Sequence, residues 1–148
     1  MTPRSEIRKP TLMEAEMVAT DRVRDFKDLI VWQLARELHM MIYGLVERFP
    51  AEERYALNTQ MRRAAQSVGA NIAEGFGRYS HKENIQFCRR ARGSAFELRD
   101  RIVTAADAGF VTEEEYDQAE ALARRVIQTI NGYVRATDNR LSGQKEDN

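Results

Sequence analysis

At 148 residues, 43% of them hydrophobic and 31% charged with only three prolines, the chain has the size and balance of one compact, strongly helical domain. Its 23 basic and 23 acidic side chains cancel, so overall charge offers no basis for binding; any electrostatic recognition must come from local clusters. One cysteine, Cys88, excludes an intramolecular disulfide framework, and no apolar run approaches the roughly 20 residues of a membrane-spanning helix.

Residues 1–25 alternate charges with isolated apolar residues, and Pro3 and Pro10 interrupt any early helix, which predicts a partly disordered N-terminal arm. The start, Met1-Thr2-Pro3-Arg4-Ser5-Glu6, lacks the apolar core of a secretion signal, and together with the single cysteine it predicts a cytoplasmic protein. From Asp28 the pattern becomes regular. Val31, Ala35, Leu38, Ile42, Leu45 and Phe49 follow steps of four and three, the seam of a packed helix, with Trp32 beside it and Pro50 ending it.

Ala51-Glu52-Glu53-Arg54-Tyr55 fits a short helical turn, and a second helix starts near Leu57-Asn58-Thr59, where Asn58 or Thr59 can cap its first amides. Leu57, Met61, Ala64, Val68, Ile72 and Gly75 line one face of it. Gly75 and Gly77 mark its end, because glycine accommodates the positive φ common just past a helix. Ser80 with Glu83 has capping-box spacing and opens a third helix, whose stripe is Ile85, Cys88, Ala91, Ala95, Leu98, Ile102 and Ala105 and whose close is Gly109. Thr112 with Glu115 repeats that spacing. The fourth stripe is Tyr116, Ala119, Ala123, Val126, Ile130 and Tyr133, ending before the polar run from Ser142 to Asn148. Short connections favour antiparallel neighbours, so the expected architecture is an all-α, up-down-up-down four-helix bundle over residues 26–140, with a disordered tail over 141–148.

Catalysis should leave a nucleophile with a base and an orienting group, or metal-ligand spacing, and neither is present. His39 and His81 are isolated from each other in sequence, and Cys88 falls in a buried stripe, where free cysteines usually serve as small hydrophobes. An enzymatic alternative would have to build a shallow site on Glu74, Tyr79 and His81. Gly75-Phe76-Gly77-Arg78 follows a helix instead of a strand and lacks the lysine-serine ending of a nucleotide loop, so it reads as an interhelical turn. No cofactor or metal is implied.

The charge distribution is more informative than its sum. Residues 59–101 carry nine Lys/Arg against four Asp/Glu, whereas residues 102–148 carry five against nine. Arg62, Arg63, Arg78, Arg89, Arg90 and Arg92 are therefore the candidate nucleic-acid-binding residues, since guanidinium groups make bidentate contacts with phosphate and with carboxylate. Adjacent Arg62 and Arg63 diverge by about 100° on a helix, while Arg92 and Arg99, seven apart, nearly align. By composition alone the arginines fit an anionic ligand, an acidic protein partner, or pairing with Glu74, Glu97 and Asp100 equally well.

Several ordered motifs go further: Phe26-x-Asp28-Leu29-x-Val31-Trp32-Gln33-x-Ala35, Phe49-Pro50-x-Glu52-Glu53-Arg54-Tyr55-x-Leu57, Gln60-Met61-Arg62-Arg63-Ala64-Ala65-x-Ser67, Asn71-Ile72-Ala73-Glu74-Gly75-x-Gly77-Arg78 and Ala91-Arg92-Gly93-Ser94-x-x-Glu97-Leu98. Over roughly residues 26–135 they resemble the four-helix-bundle proteins encoded in intervening sequences of bacterial large-subunit ribosomal RNA genes. The same superfamily includes Avd, the accessory variability determinant of diversity-generating retroelements. The resemblance implies a non-enzymatic homopentamer with a positively charged surface, and for Avd-like relatives it implies binding to RNA or DNA and to a reverse transcriptase; the lack of a long apolar run predicts no membrane partner. This chain departs from the family pattern at Gly69, where relatives often have a proline nearby, and at Arg90, where they commonly carry an apolar residue.

Overall fold

The computed structural model describes residues 23–146, with side chains through residue 143. A 3-10 turn, Phe26–Asp28, leads into four helices: α1 (Ile30–Val46), α2 (Leu57–Phe76), α3 (His81–Asp107) and α4 (Glu113–Glu146). A second 3-10 turn, Ala51–Glu53, bridges α1 and α2, and no strand occurs among the described residues. Of the expected N-terminal arm, residues 1–22 lie outside the described residues.

Side-chain pairs set the direction of each helix. Between α1 and α2, Trp32 faces Gly69 while Tyr43 faces Arg62 and Gln66. Between α2 and α3, Ser67 Oγ lies 2.8 Å from Ser94 Oγ, and Gly75 abuts Asn84 and Phe87. Between α3 and α4, Asn84 reaches Tyr133, Arg92 reaches Asn131 and Arg99 reaches Glu120. In each pair one residue number rises as the other falls, so neighbours run antiparallel. Arg48 pairs with Glu115 and Phe49 packs on Phe110, which closes the ring of helices from α4 back to the end of α1.

The four stripes meet in one core. Leu38, Ile42, Met61, Ile72, Leu98, Ile102 and Ile130 are the largest of its almost fully buried side chains. Ala64, Ala91, Ala95, Ala105, Ala119 and Ala123 occupy further core positions, and their small volume lets the helix axes approach closely. Of the predicted stripe residues only Tyr116 is half-buried, because it sits in the first turn of α4 at the edge of the core. Cys88 is buried as expected, and burial pushes its thiol pKa up to about 12.

The helix ends bear out some capping expectations and correct others. Thr112 and Glu115 form the full capping box, Thr112 N donating to Glu115 Oε1 at 2.9 Å and Glu115 N to Thr112 Oγ1 at 3.1 Å. At Ser80 the hydroxyl accepts from Glu83 N at 3.3 Å. Gly109, with φ of 77°, ends α3 in a Schellman motif in which Gly109 N donates to Ala106 O and Phe110 N to Ala105 O.

Asn58 and Thr59, however, do not cap α2: the residue before that helix is Ala56, and Leu57 N donates instead to Glu53 Oε2 at 3.4 Å. Asn58 Nδ2 turns back to Val46 O at 3.0 Å, a second donor to a carbonyl that already accepts from Phe49 N at 3.1 Å in the turn after α1. Gly77 keeps φ at −73°, since a tightened last turn, Arg78 N donating to Gly75 O, ends α2 without a left-handed residue. Helix α4 runs to Glu146, past the expected end before Ser142.

Candidate functional site

The six candidate arginines do not share one face. Arg90 and Arg92 are two residues apart, which places them about 160° apart around α3. Arg92 turns to α4, where Nη1 donates to Asn131 Oδ1 at 2.9 Å; Arg99 lies on the same flank and makes a bidentate pair with Glu120. The predicted alignment of Arg92 with Arg99 thus holds, and both tie α3 to α4. Arg62 turns the other way, to α1, with its guanidinium carbon 4.7 Å from the Tyr43 ring centre.

Arg78 and Arg90 come together. Each guanidinium carbon lies 4.9 Å from the ring centre of Phe87, so two cations from different elements flank one aromatic ring. The short α2–α3 turn folds Arg78 back beside α3, and Phe87 can reach the turn because Gly75 leaves no Cβ between the helices. Arg78 also pairs with Glu74 Oε1 at 2.9 Å, an exposed contact one helical turn away that neutralises it only weakly. Arg63 and Arg89 are exposed and make no ion pair among the described residues. Of the predicted carboxylate partners, Glu74 takes Arg78 and Glu97 lies 4.0 Å from Arg101.

His81 begins α3 close to Arg78 and Tyr79, and these three side chains help line a cavity of about 180 Å³ at this end of the bundle. Asn84 and Tyr133 form its inner wall, Asn84 Nδ2 donating to the Tyr133 hydroxyl at 3.0 Å. His39 stands apart, edge-on to Tyr43 at 4.5 Å, and burial with Arg36 beside it pushes its pKa down. No three His, Cys, Asp or Glu side chains are grouped as metal ligands among the described residues.

Sequence reasoning missed Phe87 and Asn84. Asn84 was the more legible, being a polar residue four positions before Cys88 in an otherwise apolar stripe. Phe87 carried no local signal, because its relevance depends on what the turn brings beside it.

The family model described as 23S rRNA-intervening sequence protein matches residues 27–132. No curated protein matches the sequence. Among solved structures, a protein of unknown function from the S23 ribosomal protein family of Bacteroides thetaiotaomicron is similar, with a TM-score of 0.66 at 20% identity over 71% of this chain and 98% of that one. At that identity the likeness speaks for the fold alone.

Proposed function

The chain belongs to the 23S rRNA-intervening sequence protein family, and from that premise we propose that it is a non-enzymatic, self-associating helical scaffold that binds nucleic acid. The observation that carries the reading is the Arg78–Phe87–Arg90 cluster, with Arg89 exposed beside it on α3 and Arg63 exposed on α2, neither in an ion pair among the described residues. Cations held around an aromatic ring suit a ligand that offers both phosphates and bases. The pentameric state and the kinship with Avd that the motifs imply belong to this proposal, as does a cytoplasmic location; no helix among the described residues is long and apolar enough to cross a membrane.

Fluorescence anisotropy with a structured RNA and a duplex DNA across a salt series tests the reading. Binding should weaken as salt rises, and each arginine that contacts a phosphate should reduce the slope of log affinity against log salt by about 0.9 when replaced by glutamine. Arg63→Gln, Arg89→Gln and Arg90→Gln are the informative variants. Absence of binding at low salt refutes the proposal, and a monomer by light scattering at micromolar concentration refutes its self-association.

A second reading, an adaptor for an acidic partner such as a reverse transcriptase, is favoured by Phe87 itself, since an aromatic flanked by arginines is the composition of a protein-interface hot spot. A partner that copurifies after nuclease treatment supports it; one lost with the nucleic acid does not.

A further inference from the structure

Among the described residues, five large apolar or aromatic side chains stand in solvent, and two of them, Tyr55 and Tyr79, sit in the connections between helices. The other three, Met40, Phe96 and Val103, lie on helices and are 58%, 50% and 42% exposed, although none carries a polar group to favour water. They belong to two strips of the same design. On α1, Trp32, Arg36 and Met40 stand at i, i+4 and i+8, about 80° wide and about 12 Å long. On α3, Phe96, Asp100 and Val103 stand at i, i+4 and i+7, about 60° wide and about 10 Å long. Each strip runs apolar, charged, apolar, and the two central charges are opposite.

The first strip edges a groove and the second is a ridge. Beside Trp32 and Met40 the α2 wall is built from Gly69 and Ala70, whose small side chains leave a cavity of about 240 Å³. Its polar edge is already engaged, because Gln66 hydrogen-bonds the Tyr43 hydroxyl and His39 packs edge-on to the same ring. On the ridge, Arg99 is taken up by Glu120, and Glu97 lies nearest Arg101. Asp100 and Arg36 make no ion pair among the described residues. Helices α1 and α3 each pack on α2 and α4 and stand diagonally across the bundle, so one copy can present its groove and its ridge at the same time.

We propose that the Phe96–Asp100–Val103 ridge of one copy seats in the Trp32–Arg36–Met40 groove of the next, Asp100 meeting Arg36 between two apolar contacts. The inference rests on the reading of the chain as self-associating and adds to it the two faces that meet. The contact is heterologous, so copies join head to tail. Packed on itself about a two-fold axis, either strip would set its central charge against its own kind, which costs affinity, whereas ridge on groove pairs the charges.

The test uses the full chain, followed by light scattering and by the emission of Trp32, the only tryptophan. Phe96→Ala should weaken association about 30-fold, the threshold of an interface hot spot, and shift Trp32 emission to the red as the groove loses its cover. Arg36→Asp and Asp100→Arg should each weaken association about 10-fold or more, and the two changes in one chain should restore it, because the reversed pair still attracts. All four substituted proteins alter exposed positions, so circular dichroism should match that of the parent.

If the parent associates and Phe96→Ala leaves its mass unchanged, the ridge is not the interface and the inference is overturned, while self-association stands. If mass falls but Trp32 emission does not move, the ridge seats somewhere other than this groove. If the double substitution does no better than either single one, the pairing of Arg36 with Asp100 is overturned. If the parent is a monomer at micromolar concentration, this inference and the self-associating reading fall together.

Discussion

Replacing Gly75 by alanine should destabilise the protein, although alanine is the better helix former by about 1 kcal/mol. A Cβ built at Gly75 falls 2.7 Å from Asn84 Oδ1, 2.8 Å from Phe87 Cβ and 3.1 Å from Asn84 O. The first atom is the end of a side chain, but Phe87 Cβ and the Asn84 carbonyl are fixed to α3 and move only with its backbone. Overpacking of this kind costs about 1–3 kcal/mol. Displacing Asn84 also strains its buried hydrogen bond to Tyr133, and a buried polar group left unpaired costs about 1–3 kcal/mol.

Against the propensity gain, the net loss should be about 2 kcal/mol, which for a domain of this size lowers Tm by about 6 °C. Urea unfolding followed by circular dichroism measures it. Gly44→Ala and Gly93→Ala are the controls, because a Cβ at either meets nothing within 4 Å, and each should raise stability by about 0.5–1 kcal/mol. Should Gly75→Ala prove as stable as those controls, the close approach of α2 to α3 at this position is wrong.

Other perturbations follow from the same geometry. Asn58→Ala removes the hydrogen bond that ties α2 to Val46 O, which keeps its bond from Phe49 N, and should cost about 1 kcal/mol in chemical unfolding; an unchanged midpoint would mean that the tie adds nothing to the bond from Phe49. The hydrogen bonds from Arg99, and secondarily from Arg124, hold the Glu120 carboxyl below the usual carboxylate range, against the opposing effect of burial. Its folded pKa is thus depressed, so the stabilisation is complete above about pH 4.5 and is lost as pH falls through the lowered value. Glu120→Gln should cost about 1–2 kcal/mol at neutral pH and flatten the acid limb of the stability curve, and parallel curves for the two proteins would contradict the assignment. Cys88, buried with its thiol pKa raised to about 12, should resist alkylation in the folded protein and react only at the rate of opening, so labelling as fast as a free thiol at neutral pH would show that the core around α3 is open.

Much of the fold was legible from the residues in order. The stripes of α1 to α3 are buried where the 3.6-residue period places them, and the stops at Ser80, Gly109 and Thr112 work as their local chemistry requires. These features depend on neighbours a few positions away, so a linear reading reaches them. Asn58 escaped it because its acceptor, Val46 O, belongs to the preceding helix, 12 residues back. Gly75 was legible as a small residue on the buried face, whereas its reason, contact with Asn84 and Phe87, depends on how closely α3 packs.

The arginines divide along the same line. Their abundance in residues 59–101 is a property of the sequence, and so is the divergence of neighbours around a helix. A guanidinium's final position is decided by the partner it finds. Tyr43 draws Arg62 to α1, Asn131 draws Arg92 to α4, and Phe87 gathers Arg78 and Arg90. The cavity is likewise a tertiary product, with walls from Val23 to Arg140 that are distant in the chain and adjacent only because antiparallel helices bring their ends together. The amphipathic period alone therefore determined the four helices and their buried faces. Only helix packing decided which cations reach solvent, because a long side chain on a helix flank settles wherever the neighbouring helix offers it a ring, an amide or a carboxylate.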